Sequence, residues 1–154
     1  MRITFYEAML SEDGRTTLVK EKAVNYDAGK LNSPQEVGRM MRTLLLMDRM
    51  AEERCYMIAL NNACRVTGLF LLSKGTVDAS FVSPRECYIR ALLAGAVQII
   101  LCHNHPSGET VPSREDKEIT ERMKEAGDLL RIRLADHIII GGDDYYSFRE
   151  RGLL

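Results

Sequence analysis

The stretch Ala96-Val-Gln-Ile-Ile-Leu-Cys-His-Asn-His-Pro-Ser-Gly-Glu-Thr-Val-Pro-Ser-Arg-Glu-Asp116 decides how this chain is read. It begins as a short apolar run rich in β-branched residues, the mark of a buried strand. Residues two apart in a strand share a face, so His103 and His105 project together from its end. Pro106, Ser107 and Gly108 break the strand. Ser113 is then a good N-cap for a helix in which Ile119, Met123, Ala126 and Leu130 recur at helical spacing. Asp116 falls in the first turn of that helix, which a short loop can fold back over the strand end. Two histidines and a carboxylate around an open fourth position form the hydrolytic zinc pattern. Each part also has a plainer explanation: His-x-His arises by chance, and Asp in a first turn serves the cap and the helix dipole. The three residues by themselves leave both readings open.

Working outward, Asp136-His-Ile-Ile-Ile140, Gly141-Gly142 and residues 145–148 read as a last pair of strands. His137 lies in that apolar strand, where a core or supporting role is expected rather than a ligand role. Upstream, Ser83-Pro-Arg-Glu86 predicts a capping box and a helix running to about Ala94, with Gly95 as its stop. Residues 75–80 read as a loop. Residues 55–60 and 66–72 suggest an antiparallel hairpin around Asn61-Asn62. Ser33-Pro-Gln-Glu36 predicts a second capping box, followed by Val37, Met40, Met41, Leu44, Leu45 and Met47 at helical spacing. Those methionines read as core packing. Residues 1–30 form an N-terminal β-hairpin extension, with strands at 3–9 and 16–24 around Ser11-Glu-Asp-Gly14, ahead of a domain at 31–154. The fold class is therefore α/β (α+β), a mixed β-sheet flanked by helices.

At 154 residues the chain suits a single core, and its 45% hydrophobic and 28% charged residues are ordinary for a globular protein. A net charge of −1 gives no global field toward nucleic acid or anionic membranes. The sequence Met1-Arg-Ile-Thr-Phe-Tyr-Glu7 lacks the apolar core of a signal peptide, and no apolar run reaches spanning length. The expectation is a cytoplasmic protein without membrane contact. Cys55, Cys64, Cys87 and Cys102 contain no Cys-x-x-Cys pair and are expected as free buried thiols in or beside strands and a helix. Strand alternation points Cys102 away from His103, which argues against a ligand role for it.

These motifs, in this order, resemble the RadC-like branch of the JAB/MPN (JAMM) metalloprotein superfamily. The JAMM signature, His-x-His, seven residues, Ser, two residues, Asp, is met by His103, His105, Ser113 and Asp116. His-Asn-His-Pro-Ser-Gly from His103 to Gly108 matches the narrower RadC-like wording. Pro84-Arg85-Glu86, Gly75-Thr76 and Asp136-His137-Ile138-Ile139 are similar to the family pattern around it. The resemblance spans about residues 31–154 and implies a JAB1/MPN-like, cytidine-deaminase-like three-layer architecture. It also implies Zn2+ held by His103, His105 and Asp116. The family's upstream glutamate fits Glu53, ahead of Arg-Cys-Tyr-Met-Ile-Ala-Leu60, better than Glu52. Full-length RadC-like proteins carry an N-terminal helix-hairpin-helix region, whereas the first thirty residues here read as strands; this weakens the DNA-repair association of the family name.

The resemblance implies a zinc metallopeptidase hydrolysing a peptide or isopeptide bond. Glu53 would act as general base and then general acid, and Ser113 would donate a hydrogen bond to the developing oxyanion. Two alternatives stay open: a non-catalytic MPN-type binding module, and a nucleic-acid accessory protein using Arg39, Arg42, Arg131 and Arg133. A solvated face is the simpler explanation of those arginines at this net charge. A zinc deaminase is disfavoured because its His-x-Glu and Pro-Cys-x-x-Cys elements are missing. Neither the substrate nor the oligomeric state is readable from the sequence.

Overall fold

Apolar residues in near-unbroken runs build the centre of the molecule, because strands covered on both faces have no solvent side to make polar. The structure, a computed structural model, describes residues 1–75 and 82–154. In chain order the elements are β1 (Arg2–Leu10), β2 (Thr16–Asn25), α1 (Pro34–Leu45), β3 (Arg54–Leu60), β4 (Val66–Lys74), α2 (Pro84–Leu93), β5 (Gln98–Asn104), α3 (Arg114–Leu130), β6 (Arg133–Gly141) and β7 (Asp144–Ser147). They form one seven-stranded mixed sheet of order β2-β1-β4-β3-β5-β6-β7. The α/β (α+β) expectation holds. The N-terminal hairpin pairs β1 in parallel with β4 and buries Ile3 and Phe5 in the common core. Of the expected loop at 75–80, residues 76–80 lie outside the described residues.

Alternation along the strands separates two cores. Tyr56, Ile58, Leu60, Ile100, Cys102, Ile138 and Ile140 face α1, where Val37, Met40 and Met41 pack on them. Cys55, Met57, Ala59, Ile99 and Leu101 face the other way, toward Cys87 and Tyr88 of α2 and Met123 of α3. The sheet is thus the middle of three layers. A bulge sets which residues of β6 share the second face: Ile99 pairs with Leu134, but Ile100 pairs with Asp136. The extra residue, Ala135, reverses the alternation, so His137 comes to lie beside Leu101 on the face of His103.

Three local expectations need correction. Ser83 caps α2 by position, but its side chain makes no capping bond; the Glu86 carboxylate is taken instead by Arg85 and, at 3.4 Å, by Arg90. At α1 the Ser33 hydroxyl accepts from Glu36 N–H at 3.2 Å, while Glu36 reaches one residue further back, to the N–H of Asn32 at 2.8 Å. Cys64 sits beside β4 in the β3–β4 turn, with φ of 55°, but is partly exposed and not the buried thiol expected. The Asn61 side chain moves that turn along by accepting from the N–H groups of Ala63 and Arg65. All four cysteines are free, and burial pushes the thiols of Cys55, Cys87 and Cys102 upward, which keeps them unreactive.

Candidate metal centre

The site lies where β5 runs out. His103 is its penultimate residue, and His105 continues beside β6, its N–H donating to the carbonyl of Ile140 at 2.9 Å. Beyond it the Pro106-Ser107-Gly108 turn folds back tightly enough that a Cβ on Gly141 would lie 2.4 Å from the carbonyl oxygen of Gly108. Glycine at 141 is therefore required for this close approach. The turn delivers Ser113 to the start of α3, where a full capping box forms: Ser113 Oγ accepts from Asp116 N–H at 3.0 Å, and Asp116 Oδ2 accepts from Ser113 N–H at 2.7 Å. The Ser113 hydroxyl also donates to Asp116 Oδ2 at 2.7 Å. The capping reading of Asp116 is thus met, and the cap leaves both carboxylate oxygens facing the histidines.

His103, His105 and Asp116 converge. Nε2 of His103 is 3.1 Å from Nε2 of His105 and 3.1 Å from Oδ1 of Asp116, and Nε2 of His105 is 3.4 Å from Oδ2 of Asp116. Ligands about 2.0–2.1 Å from a tetrahedral ion stand about 3.3 Å apart, so the donor spacing fits zinc. Among the described residues this is the group of three metal-binding side chains that could hold an ion.

Proton positions strengthen that fit. Thr120 Oγ1 lies 2.5 Å from the carbonyl oxygen of Asp116 and 2.6 Å from Nδ1 of His137. The carbonyl can only accept, so the single hydroxyl proton goes there and His137 donates from Nδ1. Burial, reinforced by His103, holds the His137 pKa well below its ordinary value, so the ring is neutral and its Nε2 carries a lone pair. That lone pair accepts from Nδ1 of His103 at 2.8 Å, which in the neutral His103 ring places the lone pair on Nε2. Nδ1 of His105 likewise donates to the carbonyl of Glu109 at 2.8 Å. Two nitrogen lone pairs and a carboxylate then face one another, an arrangement that repels unless a proton or cation sits among them. The shifts register this: the Asp116 hydrogen bond, against desolvation, raises the His105 pKa. Burial pushes the Asp116 carboxyl up, but bonds from His103 and His105 outweigh it and hold the carboxyl well below the usual range.

Glu53, two residues before Cys55, shares the parity of the site face. Burial raises its carboxyl, the charges of His103 and His105 lower it, and Asp116 raises it, so it lies within electrostatic reach of all three. Glu52 turns outward to Lys74 at 3.0 Å and Arg54 at 3.6 Å. Cys102 points into the α1 core. His137 has both ring nitrogens engaged, by His103 and Thr120, and stacks on Phe148. Thr120 escaped the sequence reading. Its one signal was a polar residue on the buried stripe of α3 with Asp116, Met123 and Gly127.

A three-layer α+β domain with a His-x-His strand end facing a capped Asp is consistent with a JAB/MPN-like fold. The chain belongs to the RadC-like JAB domain family, whose model matches residues 31–153. It is 41% identical over 133 residues to a UPF0758 protein of Clostridium beijerinckii, covering 86% of this chain and 57% of the relative. UPF0758 protein STH371 of Symbiobacterium thermophilum is 45% identical over 108 residues, 70% of this chain and 46% of that protein. A UPF0758 protein of Thermotoga maritima is 40% identical over 125 residues, 81% and 55% respectively. The chain thus spans about half the length of the curated relatives it matches. Among the described residues no helix is long and apolar enough to cross a membrane.

Proposed function

We propose that this chain is a zinc-dependent hydrolase of the JAMM type that cleaves a peptide or isopeptide bond. The convergence of His103 Nε2, His105 Nε2 and the Asp116 carboxylate, with the Nδ1 of each ring engaged by a hydrogen-bond partner outside the group, carries this reading. His103, His105 and Asp116 would hold the ion, which when bound supplies a polarised carbonyl and a water ionising near neutral pH.

The chain's own residues do the rest. Glu53, its carboxyl raised by burial, takes a proton from the attacking water and returns it to the leaving nitrogen as the carbon–nitrogen bond breaks. Water oxygen ends on the acyl carbon, both of its protons end on the leaving nitrogen, and the two fragments leave as a carboxylate and an ammonium. Ser113 can turn its hydroxyl proton from Asp116 toward the substrate oxygen without moving Oγ, so the helix cap survives and Asp116 keeps the Ser113 N–H.

Metal content per chain, measured after purification without chelators, tests the site. About one zinc is expected in the wild type and little in a His103→Ala/Asp116→Ala variant. Hydrolysis of a peptide and isopeptide panel tests the reaction: Glu53→Gln should keep the zinc and lose turnover. An active Glu53→Gln protein would remove Glu53 from its role.

A further inference from the structure

Asn104 stands between the two histidines in the chain, yet its side chain bonds to β3 rather than to the site. It is 1% exposed. Its Oδ1 accepts from the backbone N–H of Arg54 at 2.9 Å, and its Nδ2 donates to the carbonyl of Glu52 at 3.1 Å. A carboxamide offers the donor and acceptor pair of a peptide group, so it can stand in for one. Here it does so at the point where main-chain pairing ends. The β3–β5 ladder runs from Leu60 opposite Gln98 to Cys55 opposite His103, and the next position in that register is Arg54 opposite Asn104. The Asn104 side chain carries the ladder one step further, and the two groups it grips flank Glu53.

We propose that Asn104 is a positioning residue for Glu53, bracketing its backbone on both sides and so fixing the Glu53 side chain relative to the strand that carries His103. The Gly75 N–H holds the Glu53 carbonyl at 3.0 Å, so the bracket closes on a segment already tied toward β4. A backbone gripped at both neighbours has little room to rotate, whereas a free strand end frays. The inference rests on the reading of Glu53 as the proton-transferring group beside a metal.

Cobalt(II) bound to the full chain is the probe, since its visible absorption reports the surroundings of the ion. Wild type, Glu53→Gln, Asn104→Leu, Asn104→Asp and each Asn104 variant combined with Glu53→Gln are compared. Asn104→Leu removes both bonds; Asn104→Asp keeps the shape and the Arg54 contact but sets two acceptors face to face at Glu52. Cobalt affinity should stay within about threefold of wild type in the Asn104 variants, because the ligands themselves are untouched. The pH dependence of the absorption should move in Glu53→Gln and move the same way in both Asn104 variants. Added to Glu53→Gln, neither Asn104 change should move it further, as required of a residue acting only through Glu53.

A wild-type profile in the Asn104 variants, a further shift in the double variants, or loss of cobalt affinity along with the profile would each overturn the proposal. Where Asn104→Leu fails to fold, the Asn104→Asp cycle is decisive alone. Failure of the wild type to take up cobalt would sink the metal reading and this proposal together; uptake with additive effects would sink the proposal only.

Discussion

The two faces of the sheet are made by the same strands and obey different rules. On the α1 face, Cys102, Ile138 and Ile140 meet Met40 and Met41, an apolar contact that requires only shape and volume. One residue along, on the opposite face, His103 and His137 stand against Asp116 and Thr120. Those four are buried too, but each polar atom there needs a named partner, because an unpaired one costs about 1–3 kcal/mol. One face holds the strand end in place; the other uses that fixed end to aim lone pairs. Stability and chemistry are separated by a single step of strand alternation.

The comparison is broken most severely by removing ligands. His103→Ala with Asp116→Ala should take zinc per chain from about one to near zero by elemental analysis while leaving the α1 face packed; a folded variant with undiminished zinc would detach the site from its metal. On the other face, Ile138→Ala should lower unfolding free energy by about 2–5 kcal/mol, read by urea titration, with zinc affinity nearly unchanged. A large loss of zinc affinity there would show that the two faces are not independent.

Thr120→Val sharpens the contrast, because it changes little volume and removes the acceptor of the His137 Nδ1 proton. Chelator competition should show zinc affinity falling about 10–100-fold, with Thr120→Ser close to wild type. Equal affinities in Thr120→Val and Thr120→Ser would mean that the chain from Asp116 through Thr120 and His137 does not set the His103 proton.

The smallest effect is one of pH. His137 has a lowered folded pKa, so the unfolded state binds the extra proton below about pH 6.5 and the metal-free protein loses stability as pH falls through that region. His105 acts oppositely: its folded pKa is raised, so its contribution is complete below about 6.5 and is lost as pH rises through the folded value. Since His105 is present in both proteins, urea midpoints at pH 7 and pH 5 should separate wild type from His137→Gln. The wild type should lose more on acidification, and equal losses would contradict a neutral folded His137.

Much of the site was legible because it is local. His103 and His105 are two apart on a strand, and Ser113 and Asp116 are three apart on a helix, so alternation and capping chemistry placed each pair before any tertiary contact was considered. The choice of Glu53 over Glu52 rests on the family resemblance instead; the pairing of Cys55 with His103 puts Glu53, two residues before Cys55, on the same side of the strand as the histidines. The same logic misled at Ser83, where the box spacing is present but Arg85 and Arg90 compete for the Glu86 carboxylate. Asn104 and Thr120 carried almost no signal, because their partners lie 52 and 17 residues away.

The sequence by itself determined the strand that ends in two histidines, the capped helix that presents Asp116, and the apolar stripes that build a layered α+β core. These depend on interactions within a few residues, which pattern can report. Only the tertiary structure decided that Ala135 bulges, reversing the alternation of β6 and bringing His137 beside His103, and that the side chain of Asn104 extends the β3 ladder. Register and proton order are settled between elements far apart in the chain, where hydrogen bonds must be matched atom by atom and local propensity is silent.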